Sequence, residues 1–249
     1  MIDFWKRFSR NRSAVFGLAI LLTVLFVASI ASLIYPEDPF RLAGKPLSGP
    51  GLNGFLLGSD SLGRDVASGI AHGAKTSLLI GLIATLAAVF IGIIFGAFSG
   101  YYGGRIDDLL MRITEIFQTI PSFVFAILLV AIMKPSIESI VIAITVVSWP
   151  GVARLVRAEF LSLKNREFVQ ACHTLGMSDL RIMLREILPN CLSPIIVIGS
   201  LMVATAILIE SGLAFLGLGD PNIMSWGFQI GAGRTMLRSA WWVCTFPGI

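Results

Sequence analysis

The feature that most constrains this chain is its long runs without charge. Ala14 to Tyr35 is 22 residues without Asp, Glu, Lys or Arg, and Thr76 to Gly100 is another 25. About 20 apolar residues in a helix cross a hydrocarbon core roughly 30 Å thick. Three further stretches qualify with interruptions. Leu109 to Met133 carries Arg112 and Glu115 in its first two turns and Pro121 inside; Ile137 to Val156 is interrupted by Trp149-Pro150-Gly151; Pro194 to Leu218 holds one acid, Glu210. Pro121 and Pro150 each remove a backbone donor and permit a kink. Only 14% of the 249 residues are charged, against about 25% in soluble domains. That poverty excludes a disordered chain, a basic nucleic-acid-binding domain and an ordinary water-facing enzyme. The expectation is an all-α, polytopic transmembrane helical bundle with five visible spans.

The placement of Lys and Arg orients the bundle. With the N-terminus in the cytoplasm, the inner segments hold 12 of the 19 cations and the outer segments 7, as the positive-inside bias requires. This gives a tail at 1–13, a first span at 14–35, an outer loop at 36–75, and a core at 76–249 with an inner loop at 157–193. The tail interleaves Phe4, Trp5 and Phe8 with four cations. It reads either as an interfacial helix with rings toward the acyl chains or as a basic flank that sets topology. The first run is longer than a signal-peptide core and is expected to stay as an anchor. The net charge of +4 follows from these flanks and implies no acidic partner.

No catalytic constellation emerges. The three cysteines, Cys172, Cys191 and Cys244, are neither closely paired nor in a CxxC, which argues against a disulfide framework or a zinc site. The two histidines, His72 and His173, fall on opposite sides of the membrane in this topology. Gly69 to Thr76 resembles a phosphate-cradling loop, GxxxxGK[ST], with Ala74 in place of the second Gly. That motif must follow a buried strand, and none precedes it, so no nucleotide is expected there. Glu210 is costly within an apolar run, about 2.5–3.5 kcal/mol on insertion scales. It would either line a translocation path or sit buried and hydrogen-bonded, or partly hydrated near the helix end. Gly92, Gly96 and Gly100 form a row of small residues on one helix face, suited to close packing within the chain or, less readily, to a dimer seam.

The inner loop carries helical signals out of place in a simple turn. Glu159 to Leu163 and Glu167 to Leu175 are followed by Gly176, then by Ser178-Asp179 opening Leu180 to Leu188. Ser and Asp favour helix starts and Gly favours helix ends, so the loop reads as two short helices joined at Gly176. Residues 166–190 resemble the EAA loop of ATP-binding-cassette importer permeases. Ala171, Gly176, Leu188 and Pro189 match that pattern, Gln170 stands for the usual Glu, Cys172 for the second Ala, and Ile187 is displaced by one. Leu57-Gly58-Ser-Asp60-Ser-Leu-Gly63-Arg64-Asp65, followed by Ser77 to Gly81, is similar to the outer-loop signature of the C-type subunit of dipeptide, oligopeptide and nickel permeases. Glu210 to Gly219, Trp226-Gly227, Trp241-Trp242 and Pro247-Gly248 extend that likeness to nearly the whole chain.

The resemblance implies a permease subunit of an ATP-driven importer for di- or oligopeptides or a related solute such as a nickel chelate, in the inner membrane of a prokaryote. It implies a homologous second permease subunit, two cytoplasmic ATPase subunits that carry ATP and Mg, and an extracytoplasmic binding protein; this chain would hold no cofactor and be no enzyme itself. Glu167, Gln170, Ala171, Gly176, Asp179, Leu188 and Pro189 would couple to the ATPase. Gly58, Asp60, Gly63, Arg64 and Asp65 would form the outer motif, and loop 36–75 with segment 219–245 would face the binding protein. Family members continue past Pro247-Gly248 into a further span, so a sixth is expected beyond Ile249. Two other classes stay open: an ion-gradient-driven secondary transporter or channel, and an inactive, truncated scaffold subunit.

Overall fold

The computed structural model describes residues 8–249. Residues 8–10 are helical; the rest of the interfacial helix expected over the tail lies outside the described residues. The helices are α1 (Arg12–Ile34), α2 (Val66–Tyr102), α3 (Gly104–Thr119), α4 (Ser122–Met133), α5 (Ile137–Leu163), α6 (Glu167–Thr174), α7 (Asp179–Phe215), α8 (Trp226–Gly233) and α9 (Trp242–Gly248). An isolated antiparallel bridge joins Ser59 and Asp65. Helices α1, α2, α5 and α7 are long and apolar enough to cross a membrane, and α3 with α4 makes a fifth crossing if counted as one broken span.

Four boundaries depart from the sequence reading. The run expected at Leu109–Met133 is two helices bent by 81°. Pro121 has no N–H and disfavours helix in the residue before it, and Ile120 is extended accordingly, with φ −91° and ψ 132°. Twelve residues of α4 rise only about 18 Å, so α4 alone is too short to span. By contrast, Trp149-Pro150-Gly151 interrupts nothing: α5 runs straight through it, with Trp149 and Pro150 both buried. Packing around that turn holds the helix together across the missing donor. The outer loop ends at Asp65 rather than residue 75, because the Asp65 carboxylate accepts the Ala67 N–H (2.9 Å) and starts α2 there. The inner loop is shorter than 157–193, since α5 continues to Leu163 and α7 begins at Asp179.

The chain forms two compact units: the residues up to Leu78 together with Pro221–Ile249, and Leu79–Asp220. The second segment of the first unit therefore joins the N-terminal part rather than the core assigned at 76–249. In the first unit α1 buries only Ala31 of its own residues; its apolar surface is left for lipid or for another protein. In the second unit α5 is central, packing against α3, α4 and α7. One cluster gathers Ile80, Ala84, Ala126, Val130, Ile140, Ala143, Ile144, Ala206 and Leu213. The row Gly92, Gly96, Gly100 faces α5 within this same chain. A Cβ on Gly92 would lie 2.5 Å from the Val152 side chain, one on Gly100 2.6 Å from Phe160, and one on Gly96 would overlap the Ala153 carbonyl. The row is an intrachain seam that lets two backbones approach.

Candidate functional site

The hairpin formed by α6 and the start of α7 is built around Gly176. Its φ of +71° is a left-handed conformation that glycine adopts without a Cβ penalty. The Met177 N–H reaches the Cys172 carbonyl (3.1 Å) and the Gly176 N–H the His173 carbonyl (3.0 Å). That is the double closure that satisfies a helix end. The expected second helix exists but does not stop. Ser178 precedes it without a side-chain cap, and the helix passes through a π turn at Met183–Ile187 straight into the long span. Pro189 accounts for the turn: its ring collides with the carbonyl four residues back in regular α geometry, and a π turn admits an extra residue. The same turn brings Ile187, one place off the family pattern, onto the buried face.

The hairpin has two faces. Val169, Ile182, Met183 and Ile187 join Val152, Val156 and Phe160 of α5 and Ala97 of α2 in one buried cluster. The opposite face exposes Leu175 (80%), Leu180 (55%) and Leu184 (54%). A groove of about 470 Å³ lies among Ser178, Leu180, Arg181, Leu184 and Arg185. Glu167, Gln170, Ala171, Gly176 and Pro189 are all exposed and Leu188 half-buried; a Cβ on Gly176 would meet nothing within 4 Å. Asp179 is exposed as well, while Leu188 packs against the buried cluster. Asp179 accepts a hydrogen bond from the Tyr101 hydroxyl at 2.9 Å.

Around the end of α2 lies a polar cluster that sequence reasoning missed. Arg157 holds Asp107 through two bonds of 2.6 Å, and the Ser99 hydroxyl donates to the same carboxylate. Lys164 Nζ donates to the Tyr101 carbonyl (3.4 Å). Asp107 and Arg157 are 50 residues apart, and no spacing rule pairs them. The available signal was an acid, Asp107, in the first turn of a helix, with nothing in the sequence to name its partner.

In the first unit the outer motif is a clasp. Asp60 accepts the N–H groups of Leu62 (2.8 Å) and Arg64 (2.9 Å), shaping the loop. The Arg64 guanidinium carbon lies 5.0 Å from the Phe40 ring centre and 5.9 Å from that of Phe228, within reach of cation–π attraction. Gly58 (φ +89°) lies against Trp242, whose indole N–H donates to the Ser59 carbonyl at 3.1 Å. Gly63 (φ +79°) lies against the Gly44 carbonyl. Gln229 donates to the Val66 carbonyl (3.2 Å) and the Trp226 indole to that of Ile70 (3.0 Å). Burial pushes the Asp65 carboxyl above its ordinary range, while the N–H groups of Ala67 and Ser68 pull it back. The stretch that resembled a phosphate loop is plain helix in α2. Gly69 makes room for Gln229, Gly73 for the Ser225–Trp226 backbone, and Ser77 accepts the Trp226 N–H (3.1 Å).

Glu210 is 2% exposed. Ala206 and Leu213, one turn to either side, belong to the cluster shared with α2, α4 and α5, so Glu210 sits on the packed face of α7. Past it, Gly217 (φ +86°) closes that helix, with the Leu218 N–H on the Leu213 carbonyl at 2.9 Å. No cluster of His, Cys, Asp and Glu suited to a metal occurs among the described residues.

The chain is similar to known proteins along almost its whole length. Residues 88–246 match the family described as binding-protein-dependent transport system inner membrane component, and residues 1–48 the N-terminal TM domain of oligopeptide transport permease C. It is 39% identical to the di/tripeptide transport system permease protein DppC of Pseudomonas aeruginosa, over 99% of this chain and 84% of that one. It is 40% identical to the oligopeptide transport system permease protein OppC of Haemophilus influenzae, over 98% and 80%. Among solved structures, a chain of the MetNI methionine ABC transporter in inward-facing conformations aligns with a TM-score of 0.60 at 16% identity, covering 72% of this chain and 86% of that one. The fold is thus shared well beyond sequence likeness. The chain belongs to the binding-protein-dependent transport system inner membrane components, as a multi-pass permease of the DppC/OppC type.

Proposed function

We propose that this chain is one of two homologous permease subunits of an ATP-driven importer of di- or oligopeptides. The N-terminus and the hairpin lie in the cytoplasm, two ATPase subunits carry ATP and Mg, and an external binding protein delivers the peptide. The observation that supports this best is the hairpin. An exposed apolar face beside Arg181 and Arg185, on a unit whose other face packs into the core, suits docking to a second protein and transmission of a rigid-body push. The relatives named for peptide transport support the solute class. Glu210 backs the path from within the helix packing rather than lining it, as its burial beside Ala206 and Leu213 suggests.

Co-reconstitution with the partner subunits in proteoliposomes tests this. Uptake of a labelled dipeptide should require internal ATP and binding protein, and should stop when the partner ATPases are inactivated in their phosphate loops. Uptake that persisted with inactive ATPases and an imposed ion gradient would overturn the reading in favour of a gradient-driven transporter. Assembly without any uptake would mark a scaffold subunit.

A further inference from the structure

Among the described residues, the side-chain hydrogen bonds that leave the hairpin for another helix end on one atom, the Tyr101 hydroxyl. It donates to Asp179 Oδ1 at 2.9 Å, and His173 Nε2 lies 3.5 Å from it, with the Tyr101 and His173 rings stacked at 6.4 Å. Among the described residues no salt bridge supplements them. The remainder of the attachment is apolar: Val169, Ile182, Met183 and Ile187 against Val156 and Phe160. Apolar burial is strong but non-directional, so such a seam permits sliding. A hydrogen bond has a required distance and angle, and fixes where along the seam the hairpin rests.

The other end of this tie is also anchored. Tyr101 lies in the last turn of α2. Two residues earlier Ser99 binds Asp107, which α5 grips through Arg157, and Lys164, the C-cap of α5, donates to the Tyr101 carbonyl. The final turn of α2 is therefore a junction of the hairpin, α3 and α5. We infer that Tyr101 is a positioning residue for coupling: through Asp179 it registers the hairpin on α2, so that a movement imposed on the hairpin reaches α2 rather than being lost in sliding. This rests on the importer reading above and names how its docking unit engages the spans. Without the hydroxyl, the hairpin still docks and ATP is still hydrolysed, but fewer peptides cross per ATP.

The test is the ratio of peptide imported to ATP hydrolysed in proteoliposomes holding the complete complex. Tyr101→Phe should leave ATPase recovery on pull-down and the hydrolysis rate at the wild-type level, and lower the ratio about fivefold, the scale of one lost hydrogen bond. Asp179→Ala should lower it similarly, and the double variant no further, because both changes remove the same bond. An unchanged ratio in Tyr101→Phe, or falls that multiply in the double variant, would overturn the tie. Loss of pull-down and hydrolysis together in Tyr101→Phe would also overturn it, by showing a merely structural role. A wild-type complex without ATP-driven uptake would instead overturn the importer reading, and the tie would fall with it.

Discussion

The outer motif at Leu57–Asp65 and the inner hairpin at Glu167–Pro189 both resemble family patterns in sequence, and physically they are opposites. In the outer motif Gly58 and Gly63 are buried, each pressed against backbone or an indole, and Arg64 lies over the adjoining Phe40 and Phe228 rings. These residues face other parts of the same chain. In the hairpin Gln170, Ala171, Leu175 and Gly176 are exposed, and the space around Gly176 is empty. These residues face away from the buried side of the hairpin. A family pattern can thus record either a fold's internal clasp or a surface kept for a partner, and only burial tells which.

Substitutions can break this contrast. The largest effect is expected at Gly63. An alanine there would adopt an unfavourable left-handed conformation and overlap the Gly44 carbonyl, a backbone atom that cannot rotate aside. Gly63→Ala should cost about 4 kcal/mol, the range of backbone strain with overlap, and read as loss of folded, monodisperse protein in detergent. An intermediate effect is expected at the α2–α5 seam. Gly96→Ala should cost about 2 kcal/mol by overpacking, seen as a lower melting temperature, because a Cβ there overlaps the Ala153 carbonyl. The smallest effect on stability is expected at Leu175, 80% exposed. Leu175→Ser should shift stability by no more than about 0.5 kcal/mol, yet weaken capture of the ATPase about tenfold. A Leu175→Ser protein that unfolds, or a Gly63→Ala protein that folds normally, would erase the distinction between clasp and docking face.

Much of this was legible because the bilayer imposes a simple length rule. The uncharged runs located α1, α2, α5 and α7, and helix-end chemistry put the first hairpin helix at Glu167 and its break at Gly176. What escaped depended on distant partners. Tyr101 and Asp179 are 78 residues apart, and the Trp242 indole that closes the outer motif is 183 residues from Ser59. The two prolines, each of which permits a kink, part company for a related reason. Pro150 lies in a well-packed turn that tolerates a missing donor, whereas Pro121 follows a residue free to become extended, so identical chemistry left one helix whole and split the other.

That split has a consequence for what can touch the protein there. Where α3 stops and α4 restarts, the last carbonyls of one helix and the first N–H groups of the other have no helical partners. Thr119 to Val124 are exposed, so this chain does not cover them. Hydrocarbon cannot solvate such groups. Wherever this corner sits at membrane depth, it repels acyl chains and demands water or another protein's backbone against it: a small wet notch in an otherwise oily wall.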